Sequence, residues 1–164
     1  MSEIYFENSV GRTVRLDRGA IRIKDALSLR EFEWSYTASE YPMQFGAKIS
    51  KFTRGAAAKP ISVVVRGKTR QECLSALNEL LSVCETDISA NKPGKLWLDG
   101  QYLKCYLGTS SEIEEWAGGF HFMEKKLKVL SPFPFWITEK VQRFRAGTRV
   151  VSSYGKKYAG RYPY

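Results

Sequence analysis

The chain has 164 residues, 43% of them hydrophobic, which is enough for one domain with a real core, or one domain and a tail. Its formal charge is +9, and seven basic residues with no acidic one lie between Lys140 and Arg161, pointing to a polyanion partner or a disordered basic tail. No apolar run reaches the roughly 18 residues of a membrane span, and MSEIYFENS lacks the basic and apolar regions of a secretory signal, so a protein made in a cytoplasm is expected.

In chain order, Ile4-Tyr5-Phe6 reads as a first strand. Residues 12–16 alternate as a half-buried strand, and Asp17-Arg18-Gly19 turns the chain into residues 20–24, so an early hairpin is predicted there. Residues 28–37, SLREFEWSYT, alternate Leu29, Phe32, Trp34 and Tyr36 with charges, the pattern of a strand with one wet face. Residues 38–59 differ: Pro42, Gly46 and Gly55 interrupt a stretch carrying Tyr41, Met43, Phe45 and Phe52. Loops of this length inside a compact domain are functional or disordered. Residues 48–53 alternate, so the stretch reads as an extended arm that carries a strand, its apolar residues in need of a partner surface. The competing reading is a flexible loop tip.

Residues 60–67, PISVVVRG, form a β-branched run expected in a central strand buried on both faces. A helix is predicted over residues 69–85. Thr69 and Glu72 form a capping box, and Cys73, Leu74, Leu77, Leu80, Leu81 and Cys84 recur at three and four as one apolar stripe. Such a helix must pack on a sheet. Cys73 and Cys84 sit eleven residues apart on it, a rise of about 16 Å, too far for a disulfide. With Cys105 on a strand, all three read as buried free thiols.

Residues 87–94 read as a turn-rich connector. Leu96 and Leu98 then lead into Asp99-Gly100, the strongest hairpin signal in the chain, and Tyr102, Leu103, Tyr106 and Leu107 return. Phe120, Phe122, Leu127, Val129 and Leu130 supply a further long strand. It closes on Ser131-Pro132-Phe133-Pro134-Phe135-Trp136, where two prolines oppose ladder pairing and three aromatics need cover. Residues 138–146 read as one more strand. The expected architecture is mainly β: a two-sheet β-sandwich of about nine strands with one packed α-helix and a long arm. Residues 1–146 form that domain, and 147–164 a basic aromatic tail or the start of a truncated second domain.

Catalytic signals are missing from the sequence. His121 is the single histidine, and nothing places a nucleophile and an orienting acid beside it. There is no Cys-x-x-Cys, histidine pair or EF-hand loop, so no metal site and no cofactor are expected. Gly118-Gly119 lies at a hairpin turn rather than between strand and helix, so it is no phosphate cradle. Glu112, Glu114 and Glu115 cluster near Trp116, where solvated charge is the ordinary reading and a glycosidase pair the remote one.

Two segments carry a resemblance. Residues 93–106, PGKLWLDGQYLKCY, followed by a charged hairpin and then by SPFPFWITE at 131–139, resemble the N-terminal domain of siphophage distal tail proteins, over roughly residues 1–140. The matching positions are Pro93, Gly94, Leu96, Gly100, Tyr102, Cys105, Pro132, Phe133, Pro134, Phe135 and Trp136. The resemblance implies a structural virion protein, the baseplate hub component that joins the tail tube to the host-recognition tip. It implies a hexameric ring through which DNA passes without specific binding. It also implies neighbours, the tail tube protein and tail-tip or receptor-binding proteins, with no membrane. The location would be the virion tail tip, after synthesis in the host bacterial cytoplasm. In that family the region matching the arm embraces the neighbouring subunit, which assigns Tyr41, Met43, Phe45, Phe52 and Arg54 to a subunit interface. A second β domain often follows the first, and this chain ends too soon to hold it, as a short member or a cut chain. Two other readings stay open. One is a carbohydrate- or polyanion-binding module using Trp97, Tyr102, Tyr106 and Trp116 as a stacking platform. The other is a nucleic-acid binder acting through the basic C-terminal segment.

Overall fold

The computed structural model describes residues 3–43, 45–109, 115–117 and 121–139, with 115–117 as backbone. The predicted strand over 138–146 and the basic segment beyond it lie outside these residues, apart from Thr138 and Glu139.

Eleven strands and one long helix are found among the described residues. The strands are β1 (Ile4–Glu7), β2 (Thr13–Arg15), β3 (Ile21–Ile23), β4 (Ser35–Glu40), β5 (Ala47–Thr53), β6 (Ala57–Arg66), β7 (Gly94–Leu98), β8 (Gln101–Thr109), β9 (Glu115–Ala117), β10 (Phe122–Ser131) and β11 (Trp136–Thr138). The helix α1 runs Arg70–Ala90 between β6 and β7. All strand pairs among the described residues are antiparallel.

The body follows the order β2-β1-β7-β8-β10-β6-β3, with β11 on β8 and β9 on β10. β8 belongs to both halves of this array. Its first residues pair with β7 and β11, and its last four, Tyr106 to Thr109, pair with β10. The two expected sheets are therefore one sheet folded at β8. The free ends of the path nearly close on themselves, since Ile23 N–H donates to Leu16 C=O, one residue beyond β2, at 3.0 Å. This also corrects the expected early hairpin: β2 pairs with β1, whereas β3 crosses to the edge of β6.

Alternation decides what is inside. Ile4 and Phe6 of β1, Leu96 and Leu98 of β7, and Leu103, Cys105 and Leu107 of β8 are all buried, with their strand neighbours facing out. β6 departs from strict alternation. Ile61, Val63, Val64 and Val65 are all buried, as its β-branched run requires of a strand flanked by β10 and β3. α1 packs against β8, β6 and β2 and adds Cys73, Leu77, Leu80, Val83 and Cys84 to the same core. Leu74 and Leu81 of the predicted stripe are half-buried at its margins.

The helix starts as predicted and ends later. Thr69 Oγ1 accepts from Glu72 N–H at 3.2 Å, and the Glu72 carboxylate accepts from Lys68 N–H at 2.7 Å. Replacing Thr69 by Ala should lower stability by about 1 kcal/mol, read as a shift of the denaturant midpoint at unchanged slope. The predicted end at residue 85 is overrun to Ala90. The stop comes from Asn91, which takes a left-handed φ of 50° while its N–H reaches the Asp87 and Ile88 carbonyls. The predicted 28–37 strand is also corrected. Ala26–Arg30 forms a 3-10 turn that buries Leu29, and residues 31–34 run without a partner strand until β4 begins at Ser35.

The Asp99-Gly100 turn joins β7 to β8, with φ of 51° and 78°, the two positive values of a type I′ hairpin. Glu3 and Asp99 exchange hydrogen bonds at 3.1 Å, which fastens the start of β1 to this turn.

The three cysteines are free and buried. Burial, reinforced by the charge of Asp87 and then of Glu85, pushes the Cys84 thiol up to about 12. Burial does the same to Cys105, more strongly. In the unfolded chain such thiols titrate near 9.0. The stability these thiols contribute is thus complete below pH 9 and falls as pH rises toward the folded values. Denaturant midpoints at pH 8 and pH 10.5 should show the loss. A thiol reagent should find none of the three at pH 8 until denaturant is added.

Candidate assembly surfaces

The stretch read as an arm is a free-standing hairpin. β4 and β5 form their own two-stranded sheet, and no residue of either strand is buried. The arm begins at Ser35 rather than 38, and residues 57–59 belong to β6 instead. Tyr36 pairs with Phe52, their ring centroids 6.4 Å apart. The register slips between Thr37 and Ala38, so Thr37 pairs with Lys51 but Ala38 pairs with Ile49. Ser50 is the extra residue, and its hydroxyl donates to Thr37 C=O at 3.1 Å. This bulge has a consequence for the faces. Phe52 and Ile49 are three residues apart and would otherwise point oppositely; with the bulge they share one face with Tyr36 and Ala38. The opposite face carries Thr37, Ser39, Lys48 and Lys51. The tip turns through Met43, at φ 68°, and Gly46, at φ 95°. Met43 and Phe45 are fully exposed there, and Tyr41 is half-exposed.

The root of the arm is built differently. Arg54, which the resemblance assigns to a subunit interface, packs on the body of its own chain. Its guanidinium sits 4.2 Å from the Trp34 ring centroid and 5.1 Å from that of Phe135. It donates to Phe32 C=O at 2.9 Å and to Pro134 C=O at 3.3 Å. Phe133 packs on Phe135 at 4.6 Å, and Trp136 donates from its indole N–H to Leu29 C=O at 3.2 Å. Lys59 donates to the carbonyls of Ser28, at 2.7 Å, and of Glu31. The two prolines and three aromatics of the 132–136 corner thus form the socket from which both strands of the arm emerge. Replacing Arg54 by Ala removes the pin between Trp34 and Phe135. Trypsin cleavage at Lys48 and Lys51 should then speed up several-fold, and the body should lose some stability as the Phe32 and Pro134 carbonyls lose their donor.

The remaining motif positions are structural. Leu96 and Cys105 lie in the core, Gly100 makes the turn, and Gly94 lies against Phe6 and Asp87. Pro93 follows the helix cap. Of the stacking platform considered from sequence, Trp97 and Tyr102 do meet, at 4.9 Å, and Tyr5 joins them at 5.6 Å and 14°. Tyr5 could have been found from the alternation of β1. These rings stand against one another, Lys95 lies over Trp97 and Tyr102, and Trp97 N–H donates to Glu7 at 2.9 Å. Part of each ring is thus covered within the chain. Tyr106 points elsewhere, hydrogen-bonded to Asn91 at 3.5 Å. The Trp116 side chain, Glu112, Glu114 and Gly118-Gly119 lie outside the described residues.

His121 is exposed, and its carbonyl accepts from Gly67 N–H at 3.1 Å. Among the described residues no three His, Cys, Asp or Glu side chains are placed to hold a metal ion. No described helix is long and apolar enough to cross a membrane. A cavity of about 720 Å³ is lined by Ile4, Ile23, Lys24, Asp25, Leu27 and Lys126 among others.

No protein-family model and no curated protein matches the chain. Solved structures do. The Dit protein of phage SPP1, described as a paradigm of the hub adsorption apparatus in phages infecting Gram-positive bacteria, matches with a TM-score of 0.54 at 11% identity, over 86% of this chain and 54% of that one. A chain of the phage P2 baseplate in its activated conformation with Ca matches with a TM-score of 0.65 at 14% identity, over 100% of this chain and 57% of that one. The same baseplate with Sr gives a TM-score of 0.57. The likeness read from residues 93–106 and 131–139 is a likeness of fold, and the chain spans a little over half the length of the proteins that share it.

Proposed function

We propose that the chain is a non-catalytic, ring-forming component of a phage tail tip, a distal tail protein that joins the tail tube to the host-recognition machinery. The observation that carries this is the arm. It presents an apolar face of Tyr36, Ala38, Ile49 and Phe52 to solvent on a hairpin with no buried residue, held by a socket built into the body. A two-stranded ribbon is marginal alone in water, so this face gains most by covering a second surface. The fold shared with phage hub proteins supplies the context.

In this reading the arm of one subunit lies on a different patch of the next. Such a heterologous contact closes into a ring when the rotation per step divides a full turn. Six subunits, an open centre for DNA, a tail tube on one side and receptor-binding proteins on the other complete the assignment. Negative-stain electron microscopy of the purified chain tests it. Sixfold rings with an open centre are expected, and a field of single folded particles at the same concentration would refute the ring.

A further inference from the structure

A mostly apolar groove of about 350 Å³ crosses the body. It is lined by Ile88 and Asn91 at the end of α1, Tyr106, Gly108 and Thr109 of β8, and Lys128 and Leu130 of β10. Ile88 is 52% and Leu130 44% exposed, so each leaves apolar surface in water beside the other. We propose that this groove receives the tip of the arm from a second copy of the chain, with Met43 and Phe45 in the groove and Glu40 against Lys128. The inference rests on the reading of the arm as a clasp and adds where the clasp lands.

Three observations select this occupant. First, the tip is the most exposed apolar part of the described chain, since Met43 and Phe45 lie fully in solvent. Second, the groove lies near the root of its own arm. Leu130 pairs with Ala58, four residues after Arg54, and precedes Pro134, which accepts from Arg54, by four. The seven residues of β5 carry the tip about 23 Å from that root, against the roughly 13 Å that four residues span along a strand to the level of Leu130. A straight hairpin of that length, fixed at Arg54, suits the groove of another subunit better than its own. Third, the charges match one for one. Among the described residues Lys128 is the only charged one lining the groove, and Glu40 is the only charged residue in the sequence 40–46. Neither Lys128 nor Glu40 has an ion-pair partner among the described residues.

The test uses the full chain. Phe45→Cys and Leu130→Cys are made separately and mixed under oxidising conditions. The native cysteines are buried and give little background. Disulfide-linked dimers are expected in the mixture and not in either variant alone. Glu40→Lys and Lys128→Glu should each raise the concentration needed for assembly, and the two together should restore it. Leu130→Glu should raise it by on the order of tenfold or more. An assembled protein with no cross-link and no effect of Leu130→Glu overturns this docking site and leaves the arm as a clasp elsewhere. A wild-type chain that stays monomeric at all concentrations overturns both.

Discussion

A chain in which residues 36–52 are replaced by a short Asn-Gly turn should fold as well as the wild type and should not assemble. The body has no stake in the arm, because none of the residues of β4 or β5 is buried in it. Its melting temperature should move by no more than about 2 °C, the effect of well under 1 kcal/mol in a domain of this size. Assembly, in contrast, loses the whole apolar face of Tyr36, Ile49 and Phe52, and the mass in solution should fall to that of one chain. The cut must spare Trp34 and Arg54, which cover the 132–136 corner, and must stop before Ala57, where β6 begins. A wider deletion would confuse loss of the clasp with damage to the body. Persistence of the ring after the narrow deletion would show that the arm is not what holds it.

The largest loss of stability should come from Phe6→Ala. Phe6 is fully buried, and truncating such a ring costs about 3–5 kcal/mol, or roughly 10 °C in melting temperature. Gly94 lies against the same place from the other side. A Cβ added there would collide with Asp87 Oδ2 and lie 2.6 Å from Phe6 Cζ and 2.8 Å from Glu7 O. Two of these neighbours are a buried carboxylate, held by Ser9 N–H at 2.7 Å, and a backbone oxygen, so neither moves freely. Gly94→Ala should therefore cost about 1–3 kcal/mol. The double variant should cost less than the two losses together, because the new methyl group relaxes toward the space the ring has left. Simple additivity in denaturant melts would mean that the ring and Gly94 are not in contact.

Local rules found the elements whose signals are local. The capping box at Thr69, the Asp99-Gly100 turn and the β-branched run of β6 each carry their structure in a few neighbouring residues, and each is present. The end of α1 was also legible. Asn91 followed by Pro93 is a helix stop, but the polar residues from 85 onward drew the expected end five residues early. Strand partners were not legible. β2 and β3 are adjacent in sequence and separated by a turn signal, yet β3 joins β6 because Ile21 and Ile23 extend the apolar face of Val63 and Val65. The fold at β8 is equally nonlocal, since one alternating strand serves two sets of partners.

The arm shows both outcomes at once. Its apolar residues without a place in the core marked it as an exposed element, and residues 48–53 showed one of its two strands. The second strand was hidden because Ser35 to Glu40 followed an alternating run that looked continuous from Ser28. The bulge at Ser50 was hidden too, and only with it do Ile49 and Phe52 share a face. Arg54 enters the interface assignment through the resemblance alone. Its position between Trp34 and Phe135 depends on a corner eighty residues away.

The mass of the purified wild-type chain, by light scattering after size exclusion, tests the central claim most directly. A ring-forming subunit should elute at about six times the chain mass of 18.7 kDa, and its arm-deleted form at the chain mass itself. A wild-type peak at 18.7 kDa across the accessible concentration range, with the fold intact, would contradict the account.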